Sequence, residues 1–480
     1  MNNNELRGQR TRFMRSPGGQ EVILKESVLN MTKTMSASTF NNYLILIIFI
    51  VCTGALILLT SSIVIDIAAL SILSIAAVVL VRADPVHPYT WFSLFFLLYA
   101  ISYPYMILIG HPPIQISSYG NSLMVTQWLA LSSFLLIVTP VRMERESFKQ
   151  INHRQYSMGL SKNMFVVFAV LSLMVVVGIS LLDFERKDEL YESGALVAVI
   201  GTRVITVLLI LFTVLTAYHI FNKGRFNYVI LTTTFFLALA TFLVSGERNI
   251  ILTFVLSMFY LYYILLHKDH NNKYLYLAAP LLLYLPTLFN TFKYFGVTGE
   301  VKESTGNLVV DVFNTEFIAA SRNLQIILAG SETEGIFSGY TIFSAFIRAF
   351  QIPFMPDFLS ILAFRPQDWF NDVLLPDRSG GGLGFTLVGE GYINFGYAGV
   401  VIIFFIVGAL VKHLYVKSNQ GLYYLSFYIL TIPLFIYSIR GGLATLLSPL
   451  VGQILLGIAV IFLMEYVIRK NFMKQETEKV

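Results

Sequence analysis

Apolar runs follow one another along this chain at roughly 43–60, 63–81, 90–109, 122–141, 163–182, 196–221, 228–245, 250–266, 274–292, 397–415, 422–439 and 446–468. Each is about as long as the ~20 residues a helix needs to cross a hydrocarbon core ~30 Å thick. In lipid the backbone must satisfy its own hydrogen bonds, so such runs are helices. The reading is an all-α polytopic membrane protein with about 12 transmembrane helices. Charged residues make up only 13%, against ~25% in a soluble globule. A soluble enzyme, a disordered scaffold and a nucleic-acid-binding domain are excluded, and nucleic acid is not a partner.

The connections orient the spans. Lys and Arg beside spans stay in the cytoplasm. The tail of residues 1–42 carries Arg7, Arg10, Arg12, Arg15, Lys25 and Lys33. Even-numbered spans lead into Arg82, then Arg142, Arg145, Lys149, Arg154 and Lys162, then Lys223 and Arg225, Lys268 and Lys273, Lys412 and Lys417. The tail of 469–480 adds Arg469, Lys470, Lys474 and Lys479, which puts 22 of the 33 basic residues on one side. The opposite connections are poor in basic residues or acidic, as at Asp183, Glu185, Asp188, Glu189 and Glu192. Both termini are therefore expected in the cytoplasm, and the net charge of +5 reports topology, not an anionic partner. Residues 1–42 read as a disordered tail and not as a cleavable signal, because too many polar residues precede the first apolar run.

The organisation that follows is spans 1–9 over 43–292, one large outer loop over 293–396, and spans 10–12 over 397–468. Other outer connections run only from about 3 to 13 residues. Long ordered loops are where function concentrates, so the active side is expected to be extracytoplasmic. In this loop 311–329 carries Phe313, Phe317, Ala320, Leu324, Ile327 and Leu328 at helical spacing. Residues 341–351 and 357–364 read as further short helices, followed by glycines at 380–382 and 384. Such amphipathic pieces are expected on the bilayer surface or dipping into it.

Familiar catalytic signatures are missing: no phosphate loop, no HExxH, no GxSxG. Among the seven histidines only His111 faces outward by this topology, and the lone Cys52 offers neither disulfide nor cysteine metal site. No cofactor and no metal are expected. Arg203 lies about 10 Å inside the sixth span at 1.5 Å per residue. A guanidinium there costs ~2.5–3.5 kcal/mol or more at mid-span. It either snorkels or pairs with a carboxylate such as Asp66, or it binds an anion, the reading we favour. Arg248 in the Ser245–Asn249 turn and Arg440 before Gly441-Gly442 are each unremarkable as solvated caps. Together with Arg348, Arg365 and Arg378 they form a set of arginines on the side where topology disfavours basic residues. Arginine's planar fork recognises phosphate oxygens at two points, which suits a lipid-linked diphosphate. Glu390 and Asn394, one helical turn apart, share a face near the entry to span ten. The pair is either a capped hinge, or a carboxylate whose apolar setting makes it a general base beside a polar partner. Tyr392 and Trp369, with Phe370 and Phe395, could stack on sugar rings, although lipid-facing packing accounts for most aromatics here.

The SGERN turn at 245–249, the single late outer loop and the stretch GGGLGFTLVGEGYINFGYAG running into span ten resemble Wzy-type polymerases, which join O-antigen and capsular repeat units. The resemblance implies a glycosyltransferase C-like membrane fold, related in architecture to O-antigen ligases. It also implies undecaprenyl-diphosphate-linked oligosaccharides as substrates, at the periplasmic face of the bacterial inner membrane. A chain-length regulator and a flippase of the same pathway are the partners it suggests, beside the lipid bilayer. It carries a diphosphate-binding role to Arg203, Arg248, Arg378 and Arg440. O-antigen ligases rely on a loop histidine that this loop lacks, so Glu390 is the substitute base, with Asn394, Tyr392 and Trp369 on the glycan. The alternatives are an O-antigen ligase and a lipid-linked oligosaccharide flippase. A monosaccharide transferase would show paired acids in the first outer loop, where Asp66 stands alone.

Overall fold

A computed structural model describes residues 37–111, 119–140, 158–180, 195–245, 248–266, 308–313, 317–334, 337–349, 364–375, 384–464 and 466. All regular structure among them is helical. The helices are α1 Ala37–Leu59, α2 Ile63–Leu80, α3 Pro88–Leu108, α4 Ser122–Val138, α5 Met158–Ser180, α6 Ala195–Lys223, α7 Tyr228–Ser245 and α8 Arg248–Leu261. There follow α9 Leu308–Val312, α10 Ile318–Glu334, α11 Tyr340–Ala349, α12 Pro366–Leu374, α13 Leu387–Lys417, α14 Leu422–Gly441 and α15 Leu443–Pro449. Eight described helices are long and apolar enough to cross a bilayer, and three shorter apolar ones fall on the fourth, seventh and eighth runs. The run at 274–292 lies outside the described residues.

Burial ranks the helices. The α6 span is the most enclosed: Val207 to Phe212 are nearly inaccessible and pack with Phe165 and Phe168 of α5, Phe254 of α8 and Leu430 of α14. A second core joins the late loop to the bundle through Ile327, Phe370, Phe385 and Ile393.

The late loop differs from expectation in one respect. The stretch expected as one amphipathic helix over 311–329 is α9 and α10, and α10 is enclosed by protein around most of its circumference. Phe317, Leu324 and Ile327 are buried with Ser321 on the same side, but so are Arg322, Asn323 and Gln325 elsewhere around the helix. The helix packs against α3, where Phe317 meets the Tyr99 ring edge-on and the Tyr103 amide donates to Ser321 Oγ. Ser321 and Arg322 find hydrogen-bond partners in this setting, as buried polar groups generally do, whereas Gln325 Oε1 is buried without one. The segments 350–363 and 376–383, including all but the last residue of the expected helix at 357–364, lie outside the described residues.

The last long helix is not one rod. At Phe395 and Gly396 the backbone leaves helical geometry, with Gly396 at φ +60°. The chain then doubles back so closely that a Cβ on Gly391 would stand 2.8 Å from the Cα of Val400, and one on Gly399 would overlap the Gly391 carbonyl. Eight residues of continuous helix would separate 391 and 399 by ~12 Å. Residues 387–394 are thus a separate helical segment laid against the crossing helix. Backbone atoms cannot yield as a side chain can, so Gly399→Ala is expected to cost at least the 1–3 kcal/mol of an overpacked site. The check is a lowered thermal aggregation temperature of the detergent-solubilised chain, with Gly178→Ala, whose Cβ meets nothing within 4 Å, as the control.

Candidate active site

The segment 384–394 is pinned at both ends. The Phe385 amide donates to the Arg440 carbonyl at 3.2 Å, which seats the strand-like entry on the end of α14. Further along, the i, i+4 spacing of Glu390 and Asn394 brings both side chains onto Thr341 of α11. The Asn394 amide donates to Thr341 Oγ1 and to the Glu390 carbonyl, both at 2.6 Å, and its Oδ1 accepts from the Gly339 amide at 3.0 Å. The Thr341 hydroxyl donates to Glu390 Oε1 at 3.3 Å. The other carboxylate oxygen, Oε2, accepts from the Leu443 amide at 2.5 Å, opening α15.

That last bond depends on glycine. Gly442 has φ +85°, and a Cβ there would fall 2.7 Å from Glu390 Oε2. The turn after Arg440 carries glycine because only glycine holds this backbone and leaves room for the carboxylate. The first turn of α15 also uses the carboxylate electrostatically, since its unpaired N–H groups favour a negative charge. α12 joins the same turn through Gln367 Nε2, which donates to the Gly441 carbonyl at 3.2 Å.

Past Pro449 the helix widens into a π turn, Leu450–Leu455. A proline inside a helix withholds one N–H, and π turns recur at functional sites. Two arginine-bearing segments border this turn. A Cβ on Gly452 would stand 3.5 Å from the Ala349 carbonyl, one residue past Arg348. On the α6 side the Thr206 hydroxyl donates to Gln453 Oε1 at 3.3 Å, one helical turn from Arg203. Arg203 is partly exposed, and Asp66 is not its counter-ion: that carboxylate is buried and accepts from the Tyr119 hydroxyl at 2.8 Å. Arg440 is partly exposed and stacks its guanidinium 5.7 Å from the Tyr437 ring centroid.

Arg348 holds the electrostatic centre of the loop helices. Burial pushes its guanidinium down from the ordinary value, the neighbouring charge of Arg365 pushes the same way, and Glu390 and Asp368 oppose both. The Glu390 and Asp368 carboxylates thus supply negative charge beside the two guanidiniums.

The site residues expected from sequence fall into three groups. Glu390 and Asn394 share Thr341 and Glu390 meets the start of α15, three residues past Arg440, while Arg203 sits one turn from a contact ten residues further along that helix. Trp369 and Tyr392 flank them: both are half-buried against the Phe370–Phe385 core, with Trp369 edge-on to Phe337 at 5.1 Å and Tyr392 edge-on to Tyr397 at 5.3 Å. Asn394 is fully buried with its amide spent on protein partners, and Glu390 is 1% exposed. Arg248 opens α8, which packs on α6 and α14, while Arg378 lies outside the described residues.

Sequence reasoning missed several members. Thr341, Gln367 and the Leu443 amide carry no sequence signature of their own. The π turn did leave a trace, Pro449 and Gly452 inside the final apolar run. Among the described residues no group of acidic, histidine and cysteine side chains could hold a metal ion.

No curated protein and no solved structure matches the chain. The family model described as O-antigen polysaccharide polymerase Wzy matches residues 41–474, nearly its whole length. The chain belongs to that family and is a membrane-embedded polymerase of O-antigen repeat units.

Proposed function

We propose that the protein joins undecaprenyl-diphosphate-linked oligosaccharide units into O-antigen or capsular polysaccharide at the periplasmic face of the inner membrane. The observation that supports this reading is the buried Glu390 carboxylate, fixed by the Leu443 amide three residues past Arg440 and acting electrostatically on Arg348 of the neighbouring loop helix. The growing glycan on one carrier is the donor, and the terminal sugar of an incoming lipid-linked unit is the acceptor. The acceptor oxygen forms a bond to the donor's anomeric carbon. The bond from that carbon to the diphosphate breaks, and its electron pair leaves with undecaprenyl diphosphate. Negative charge grows on the departing oxygens, where fixed guanidiniums act more strongly in the transition state than on bound substrate. Arg203, Arg348 and Arg440 serve there, with Arg248, Arg365 and Arg378 completing the anion site.

Glu390 receives the acceptor's proton. Its Oε2 is fixed by the Leu443 amide, while Oε1 has only the long Thr341 contact. An acceptor hydroxyl entering beside Thr341 would replace that contact and meet an oriented carboxylate. Asn394 is a positioning residue that sets Thr341 and the 390 turn, and the open faces of Trp369 and Tyr392 pack on sugar rings. The donor already stores the energy of the bond formed, so neither nucleotide nor metal is required.

The test is reconstitution of the purified chain with lipid-linked repeat units. A ladder of products should grow in the presence of chelator and without nucleotide. Transfer of one preformed glycan to a second acceptor, without a ladder, would make the protein a ligase. Movement of lipid-linked units across the bilayer without new bonds would make it a flippase.

A further inference from the structure

Away from the arginine site, α5 and α7 leave an open groove of about 700 Å³ between them, within the ~300–1,000 Å³ range of small-ligand sites. Its walls are apolar: Val166, Val170 and Leu173 of α5 face Val229 and Phe236 of α7, all well exposed. In a bilayer such a trough is filled by a hydrocarbon chain, and the ends of the trough decide which lipid supplies it.

One end is polar and basic. Lys162, four residues into α5, and Asn227, just ahead of α7, line the groove there, and no acidic residue does. Lys223 closes α6 nearby, with Arg225 in the short connection to α7. Lys223 and Arg225 stand four and two residues before Asn227, which lines the groove at this end, so the short connection brings their charges to the same end as Lys162. His219 of α6 is 8% exposed, and its Nδ1 makes no hydrogen bond. Basic residues at the end of an apolar groove between spans are the recognition chemistry of anionic lipid headgroups.

We infer that the α5–α7 groove binds a two-chain anionic phospholipid, one acyl chain in the groove and the phosphate among Lys162, Lys223 and Arg225. The three like charges are solvated at a cost when left together, and a phosphodiester offsets it. The neutral Asn227 supplies a donor to the same headgroup. A zwitterionic lipid fits the groove equally but brings its own cation into this cluster, so the basic end selects against it.

Native mass spectrometry of the full-length chain in detergent tests this, with phosphatidylglycerol and phosphatidylcholine of identical chains added at equal concentration. The wild type is expected to retain phosphatidylglycerol at least tenfold over phosphatidylcholine. The combined K162Q, K223Q and R225Q variant should lose that preference, and Val170→Trp, which fills the groove and keeps the charges, should lower retention of both lipids. Equal retention of the two lipids by wild type, or an unchanged preference in the triple variant, would overturn the assignment. Full displacement of phosphatidylglycerol by an equal concentration of a polyprenyl phosphate would overturn it as well. Ladder formation is a separate readout, so failure here leaves the polymerase reading intact.

Discussion

Cells whose only copy carries Arg203→Ala will display glycan with a single repeat unit where the parent displays a ladder. Arg203 stands one helical turn from the Thr206–Gln453 contact that docks α6 on the π turn. A guanidinium at that place is stabilised only if something polar meets it. If that something is the departing diphosphate, deleting the fork removes stabilisation made in the transition state. Loss of one such preorganised donor costs ~10²–10³ in turnover. Arg203→Lys should restore little, because an ammonium cannot present the planar fork. The amount of protein in the membrane fraction must stay near that of the parent. A normal ladder in Arg203→Ala would remove Arg203 from the anion site. A vanished ladder with vanished protein would assign the residue to folding instead.

Glu390→Gln is expected to reduce polymerisation by ~10²-fold or more, the usual contribution of a general base, with little change in protein level. Glutamine keeps an oxygen for the Leu443 amide and fits the same space, so the turn at Gly442 should survive. Glu390→Ala differs: it leaves a buried amide without its acceptor, a penalty of ~1–3 kcal/mol, and should also lower thermal stability. The two substitutions separate proton transfer from architecture. Measured with reconstituted protein, Glu390→Gln should flatten the acid limb of the pH–rate profile. An ordinary pH profile with a severalfold loss would instead make Glu390 a positioning residue for Arg440, to which it is tied through Gly442 and the Phe385–Arg440 backbone bond. Since Oε2 is already engaged, the experiment reads the fate of Oε1.

Most of the bundle was legible in one dimension. Apolar runs mark helices because lipid leaves the backbone no other partner, and every run within the described residues is helical. The weights inside the bundle were less legible. α5 and α6 have similar hydropathy, yet α6 is enclosed and α5 is largely exposed, since lipid and protein neighbours select the same apolar side chains. The enclosure of 318–328 by protein was not legible for a related reason. Apolar residues at helical spacing report one buried face, and Ser321, Asn323 and Gln325 report nothing until α3 is set against them.

At the candidate site, residue type was readable and company was not. Arginine on the wrong side of a charge gradient, and a carboxylate in a glycine-rich approach to a span, are anomalies of local sequence. They singled out Arg203, Arg440 and Glu390. Thr341 and Leu443 lie 49 and 53 residues from Glu390, and no periodicity or composition links such distant positions.

The apolar helices and their approximate ends follow from hydropathy, because each is decided by the contact of a short segment with lipid or water. That Glu390 is anchored by a backbone amide instead of facing solvent, and acts on Arg348 from another helix, was decided by folding. The break at Phe395–Gly396 turns 387–394 back onto its own helix, and only that reversal sets the carboxylate against the start of α15.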